Sequence, residues 1–417
     1  MLRGIGRVAA FAGLLLVAVL LAAAALVGVA ALIAWPAVFL AAGWVVLALG
    51  VWLAARVTAA PTIRRRLAAV TLAVPTLVGG FALLRPAKAS LPAAPPGMRT
   101  VDLPTGARLA YLKLPTAGAR RATPLVFVHG GPGVADMRGD ARNLQRLADA
   151  GFDVYLYDQV GVGRSTRLAD PTGYTIEHAV ADLEAFRQAL GATRVDLLGY
   201  SWGGTLSAAY LAAHPDRVGK VVFASPGDMA SARYANGPAL LDRLTPAQRW
   251  AVYRQMLPPR ALLAWTLAQV NPRAAHAYAG DAEMDTRFRR LNAAASPALY
   301  CGSAPPDTAD VGFYHNAVLQ RPGAPRGPDP HPALRRLDTP ALVVKGSCDY
   351  LPWSTATDYR DTLPAARMVY LPGAGHQAFA ERPDAFFATV TAFLTDQPLP
   401  LPVETRSTAP SDYRGPA

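Results

Sequence analysis

Lysine is almost absent from this 417-residue chain: Lys88, Lys113, Lys220 and Lys345 stand alone, and arginine supplies the rest of the 41 basic side chains. The formal net charge is +12, yet there is no dense basic run with interleaved aromatics, which argues against a nucleic-acid-binding surface. Charge of either sign is thin, at 17% of residues against 52% hydrophobic. A chain so poor in charge is not an ordinary soluble protein. Cysteine is reduced to Cys301 and Cys348, an even count that permits one disulfide in an exported domain. The loop closed by such a bond would contribute about 4 kcal/mol in the chain-entropy picture.

The apolar excess sits at one end. Residues 8–34 carry no charge, 37–55 form a second uncharged run, and 67–84 a third that contains Pro75, Gly79 and Gly80. About 20 residues suffice to cross a bilayer, and Pro and Gly are tolerated in such helices. Arg3 and Arg7 precede the first run, and Arg56, Arg64, Arg65 and Arg66 lie between the second and third. Basic residues favour the cytoplasmic side, so a multi-pass membrane protein is expected. Its N-terminus and 56–66 loop face the cytoplasm, and everything after residue 85 is extracytoplasmic. An alternative makes 64–89 an internal signal sequence, cleaved after "AKA" before Ser90.

Residues 86–100 are Pro/Ala-rich and read as a linker. Beyond them short apolar runs alternate with amphipathic stretches: "RLAYLKL" (108–114), "PLVFV" (124–128), "DVYLY" (153–157), "VDLLG" (195–199), "KVVFA" (220–224), "ALVVK" (341–345) and "RMVYL" (367–371). Strands of that kind separated by helices define an α/β fold with a mostly parallel, doubly wound sheet. Residues 101–225 and 338–396 form this core. The interval 226–337 has helical patterns without a core strand and is expected to be an inserted lid. The end, 397–417, is rich in Pro, Ser and Thr and is expected to be disordered.

The chemistry concentrates in "GYSWGG" (199–204), which follows an apolar strand and opens a helix. Glycines around Ser201 suit a strained strand-to-helix turn that exposes a nucleophilic hydroxyl. A serine needs a base. His376, in the glycine-flanked loop "LPGAGHQAF" (371–379) after the last strand, is placed to reach it. His178, His214, His276, His315 and His331 lie in helices or the lid, and His129 is expected to brace its own loop. Asp349, just past "VVKGSC", is the orienting acid, with Asp361 and Asp384 as helical alternatives. The chain order Ser201, Asp349, His376 is the one expected for a nucleophile elbow. Attack on a carbonyl makes an oxyanion, which preorganised N–H groups must hold. Trp202, next to the nucleophile, supplies one. The bare turn "HGGPG" (129–133) supplies the other through Gly131, with Gly130 as the neighbour that could replace it.

"HGGPG", "DQVGVGRS" (158–165) and "GYSWGG" together resemble the α/β-hydrolase superfamily, in its proline iminopeptidase-like branch of serine aminopeptidases. The resemblance covers about residues 100–395 and leaves the membrane region outside. It implies catalytic roles for Ser201, Asp349 and His376, oxyanion donors at Gly131 and Trp202, release of an N-terminal residue from a small peptide, and no metal or organic cofactor. An aminopeptidase must also hold a free, charged amine. The branch's tryptophan-glutamate context for that purpose is missing, and the lid's one glutamate is Glu283, beside Asp281 and Asp285. That cluster is the candidate amine site. A carboxylesterase or lipase acting on an ester with the same residues is the second expectation. A non-catalytic hydrolase-fold binding protein is the third.

Overall fold

The structure is a computed structural model and describes residues 2–116, 121–230, 237–305, 309–324 and 327–416. Parts of the expected lid, at 231–236, 306–308 and 325–326, lie outside the described residues. The chain divides into two compact units, residues 2–89 with 254–287 and residues 90–253 with 288–416.

The first unit contains three long helices, α1 (Leu2–Leu32), α2 (Pro36–Thr58) and α3 (Pro61–Leu84). Each is long and apolar enough to cross a membrane. Pro36 and Pro61 open α2 and α3 at the position where a missing N–H costs nothing. The third helix starts earlier than expected and takes Arg64–Arg66 into its first turns.

The 226–337 insertion is not one block. Its stretch 254–287, which carries the helices Pro259–Val270 and Pro272–Tyr278, belongs to the first unit. The physical reason lies at the helix ends, where the last carbonyls have no partner within their own helix. Asn271 Nδ2 donates to Ala30 O near the end of α1, at 2.9 Å. Arg260 Nη1 and the Tyr278 hydroxyl both donate to Leu83 O at the end of α3, at 2.8 and 2.7 Å.

The second unit is built on an eight-stranded sheet. Its strands are β1 (Arg99–Asp102), β2 (Arg108–Lys113), β3 (Leu125–Val128), β5 (Val154–Tyr157), β6 (Val195–Tyr200), β7 (Val218–Ala224), β9 (Ala341–Gly346) and β10 (Ala366–Leu371). The spatial order is β1-β2-β5-β3-β6-β7-β9-β10. The first two strands are antiparallel, and from β5 to β10 every pairing is parallel. A separate ribbon pairs β4 (Val134–Ala135) with β8 (Asp310–Val311). Every residue of β3, β6 and β9 is buried, as a sheet covered on both faces requires.

The C-terminal tail corrects an expectation. Residues 397–416 are irregular but tied down, because their backbone is hydrogen-bonded to the sheet's edge and its loops. Glu404 N–H donates to Met368 O at 2.7 Å, Arg414 N–H to Ser347 O at 2.7 Å, and Trp353 N–H to Pro416 O at 3.0 Å. Tyr413 packs its ring edge-on against Trp353.

Candidate active site

The parallel strands deliver the candidate residues to one edge of the sheet. Val128, at the end of β3, is in register with Gly199 of β6, and Tyr200 of β6 with Ala224 of β7. Ser201 therefore emerges beside "HGGPG". Asp349 follows β9 by three residues and His376 follows β10 by five.

Ser201 has φ +54°, ψ −121°, a conformation L-residues rarely adopt. Its backbone is fixed from three directions: its N–H donates to Ala224 O, and its carbonyl accepts from Gly204 and Gly227. The helix Trp202–Ala213 starts immediately after it, aiming its N-terminal dipole at the serine. Gly130 touches this turn: a Cβ there would stand 2.9 Å from Ser201 Cβ, so a side chain would push the two loops apart. Gly131 takes φ +118°, which glycine alone adopts without strain.

His376 Nδ1 and Asp349 Oδ1 are hydrogen-bonded at 2.7 Å, and both side chains are buried. The His376 ring lies 5.1 Å from that of Tyr200, next to Ser201, and 4.6 Å from that of Tyr350. Asp349 Oδ1 also accepts from Leu351 N–H, and Oδ2 accepts from Lys345 Nζ at 2.8 Å. Burial on its own would raise the Asp349 pKa. The charges of Lys345 and His376 and their hydrogen bonds outweigh that and hold the carboxyl well below its usual range. The alternatives for the acid are engaged elsewhere, Asp361 with Arg360 and Asp384 with Arg146.

The other histidines have structural surroundings. His129 accepts from Gln159 N–H through Nε2, and its Nδ1 donates to Gly130 O. Burial brings its pKa down to about 4, so it stays neutral and braces the turn. His315 donates to Val160 O; His178, His276 and His331 face Asp182, Asp281 and Asp358.

Two residues that sequence reasoning passed over hold the site together. Glu381 Oε1 accepts from Cys301 N–H and Gly302 N–H, while its Oε2 accepts from Gly375 N–H. One carboxylate thus pins the His376 loop to the Cys301 loop. Lys345 is the other. Its sequence signal is a lysine at the end of the apolar run 341–345, four residues before the acid. Cys301 and Cys348 do form a disulfide, with Cα atoms 5.4 Å apart, and Cys348 is the residue before Asp349.

The amine-site expectation fares differently. Glu283 belongs to the first unit and is already doubly neutralised. Arg260 Nη2 meets its Oε2 at 2.9 Å and Arg287 Nη2 its Oε1 at 2.8 Å, and Ala87 N–H also donates to Oε1 at 3.2 Å. Asp281 is bonded to His276 at 2.7 Å, and Asp285 is buried in the same unit. Glu283 is a structural counter-ion there and not a free carboxylate awaiting an amine. Among the described residues no His, Cys, Asp and Glu cluster is arranged to hold a metal ion.

A strained serine on a strand-to-helix turn, with an Asp–His pair on neighbouring loops of a parallel sheet, defines a hydrolase of the α/β class. The chain belongs to the alpha/beta hydrolase fold family, whose model matches residues 123–383. Its relatives include a proline iminopeptidase of Levilactobacillus brevis, 29% identical over 274 residues that span 65% of this chain and 88% of that one. The proline iminopeptidase of Lactobacillus delbrueckii subsp. bulgaricus is 28% identical over 302 residues, spanning 71% and 97%. Among solved structures, the proline iminopeptidase of Mycobacterium smegmatis superposes with TM-score 0.50 at 26% identity, over 72% of this chain and 98% of that one.

Proposed function

We propose that this protein is a membrane-tethered serine hydrolase, an aminopeptidase of the proline iminopeptidase kind that works through an acyl-enzyme on Ser201. The observation that carries the reading is the buried 2.7 Å Asp349–His376 hydrogen bond beside the strained Ser201 turn. In this mechanism His376 takes the Ser201 proton as Oγ bonds to the carbonyl carbon. Gly131 and Trp202 N–H groups hold the oxyanion, and His376 gives the proton to the leaving amine as the C–N bond breaks. Water then gives a proton to His376 as its oxygen bonds to the acyl carbon, and His376 returns that proton to Ser201 Oγ as the ester bond breaks. The 28–29% identical relatives over most of their length support the peptidase branch.

We read the second unit as extracytoplasmic, a reading supported by three helices long enough to cross a membrane and by the arginine-rich 56–66 segment, which favours the cytoplasmic side. The disulfide supports an oxidising compartment. An esterase reading has one specific observation in its favour, the occupation of Glu283 by two arginines. The discriminating experiment compares hydrolysis of a prolyl anilide with that of its N-acetylated twin by the full chain in detergent, with Ser201→Ala as blank. Cleavage of the free amine alone is expected. Turnover of an aryl ester without either anilide would make the protein an esterase.

A further inference from the structure

Lys345 is entirely buried in the core strand β9. Its ammonium has two hydrogen-bond acceptors, Asp349 Oδ2 at 2.8 Å and Leu351 O at 2.9 Å, and the Tyr413 ring lies 5.8 Å away. Tyr413 comes from the C-terminal tail, and its hydroxyl also donates to Leu351 O. Burial pulls the Lys345 pKa down while the Asp349 carboxylate works against that, and the amine sits against the acid at Oδ2, with His376 on Oδ1. A buried ammonium demands a strong reason, since desolvating it is costly.

We propose that Lys345 is a positioning residue for the hydrolytic centre: it occupies Oδ2 of Asp349, leaves Oδ1 to orient His376, and weakens the centre's hold on a proton so that the base stays available at lower pH. The inference rests on the serine-hydrolase reading above. Its sign follows from charge. A positive charge held against Asp349 opposes the arrival of a second positive charge nearby, and removing it removes that opposition. Other titratable or charged groups face the same place. Tyr350 and Tyr200 lie against His376, Arg243 acts on Asp349, Tyr413 and Glu381, and Tyr200 also feels Asp140 and Tyr300. All of these are retained when Lys345 is replaced, so a change in pH response belongs to Lys345.

The test uses the full chain in detergent and a fluorophosphonate, which reports on the serine whatever the natural substrate. Ser201 Oγ bonds to phosphorus, the P–F bond breaks, fluoride leaves, and the serine proton passes to His376. Labelling rate is followed against pH for wild type, Lys345→Met, Lys345→Gln and Lys345→Arg, with Ser201→Ala as blank. The acid limb is expected to move up by about one pH unit in both neutral variants and to return toward wild type in Lys345→Arg. An unmoved limb in folded neutral variants overturns the inference. Loss of folding in both would make Lys345 a structural counter-charge alone and overturn it as well. A wild type that is not labelled at Ser201 fails differently: it removes the serine-hydrolase reading itself and the inference with it.

Discussion

Each unit of this protein contains a buried carboxylate held by two basic side chains, and the two arrangements differ in what those side chains are. In the first unit Glu283 lies between Arg260 and Arg287. In the second unit Asp349 lies between Lys345 and His376. Arginine keeps its charge at any pH a protein meets, and Arg260 spends its remaining donors on Leu83 O and Tyr278 O. That cluster fastens the 254–287 segment to the end of α3. Where one guanidinium is exchanged for an imidazole, the same motif becomes, in the proposed mechanism, the support of a base. The partners make the difference: a buried acid held by two guanidiniums is a counter-ion, whereas one that shares its hydrogen bonds with an imidazole orients that ring.

Breaking the acids one at a time sharpens this contrast. Asp349→Asn keeps the shape but removes the charge that orients His376, and the Ser201-dependent rate is expected to fall about 10⁴-fold in a stopped or continuous hydrolysis assay. A loss below tenfold would remove Asp349 from the mechanism. Glu283→Gln should act on stability instead. Leaving the buried Arg260 and the partly buried Arg287 without their counter-ion is expected to cost about 3–5 kcal/mol, read as an earlier loss of tertiary signal in a thermal melt of the full chain. The Ser201 labelling rate of the molecules that remain folded should stay within a factor of a few. A large rate loss without destabilisation would return Glu283 to the substrate site.

Most of the core was legible because its signals are local. "PLVFV", "VDLLG", "ALVVK" and "RMVYL" became β3, β6, β9 and β10 within one or two residues of their expected bounds. The glycine motifs marked the turns that follow the strands, which is where Ser201, Asp349 and His376 stand. Strand β1, "RTVD", escaped notice because a four-residue edge strand carries too little periodicity to read. What stayed hidden was long-range pairing. Composition made residues 397–416 look unstructured, yet a few backbone bonds to Met368, Ser347 and Trp353 anchor them. Nothing near Glu283 in sequence, apart from Arg287 one helical turn on, announced that Arg260 would neutralise it. The division of the lid depended on carbonyls at the ends of distant helices.

The central claim is that the Asp349–His376 pair exists to activate Ser201. The most direct measurement is a peptide map of the full chain after fluorophosphonate treatment, run on wild type and on His376→Ala. The account predicts a single adduct on Ser201 in wild type and at least a hundredfold slower labelling at that residue without the imidazole, within the ordinary range for general base catalysis of about 10²–10⁴. An adduct on another residue, or labelling of Ser201 at an equal rate in both proteins, would contradict it.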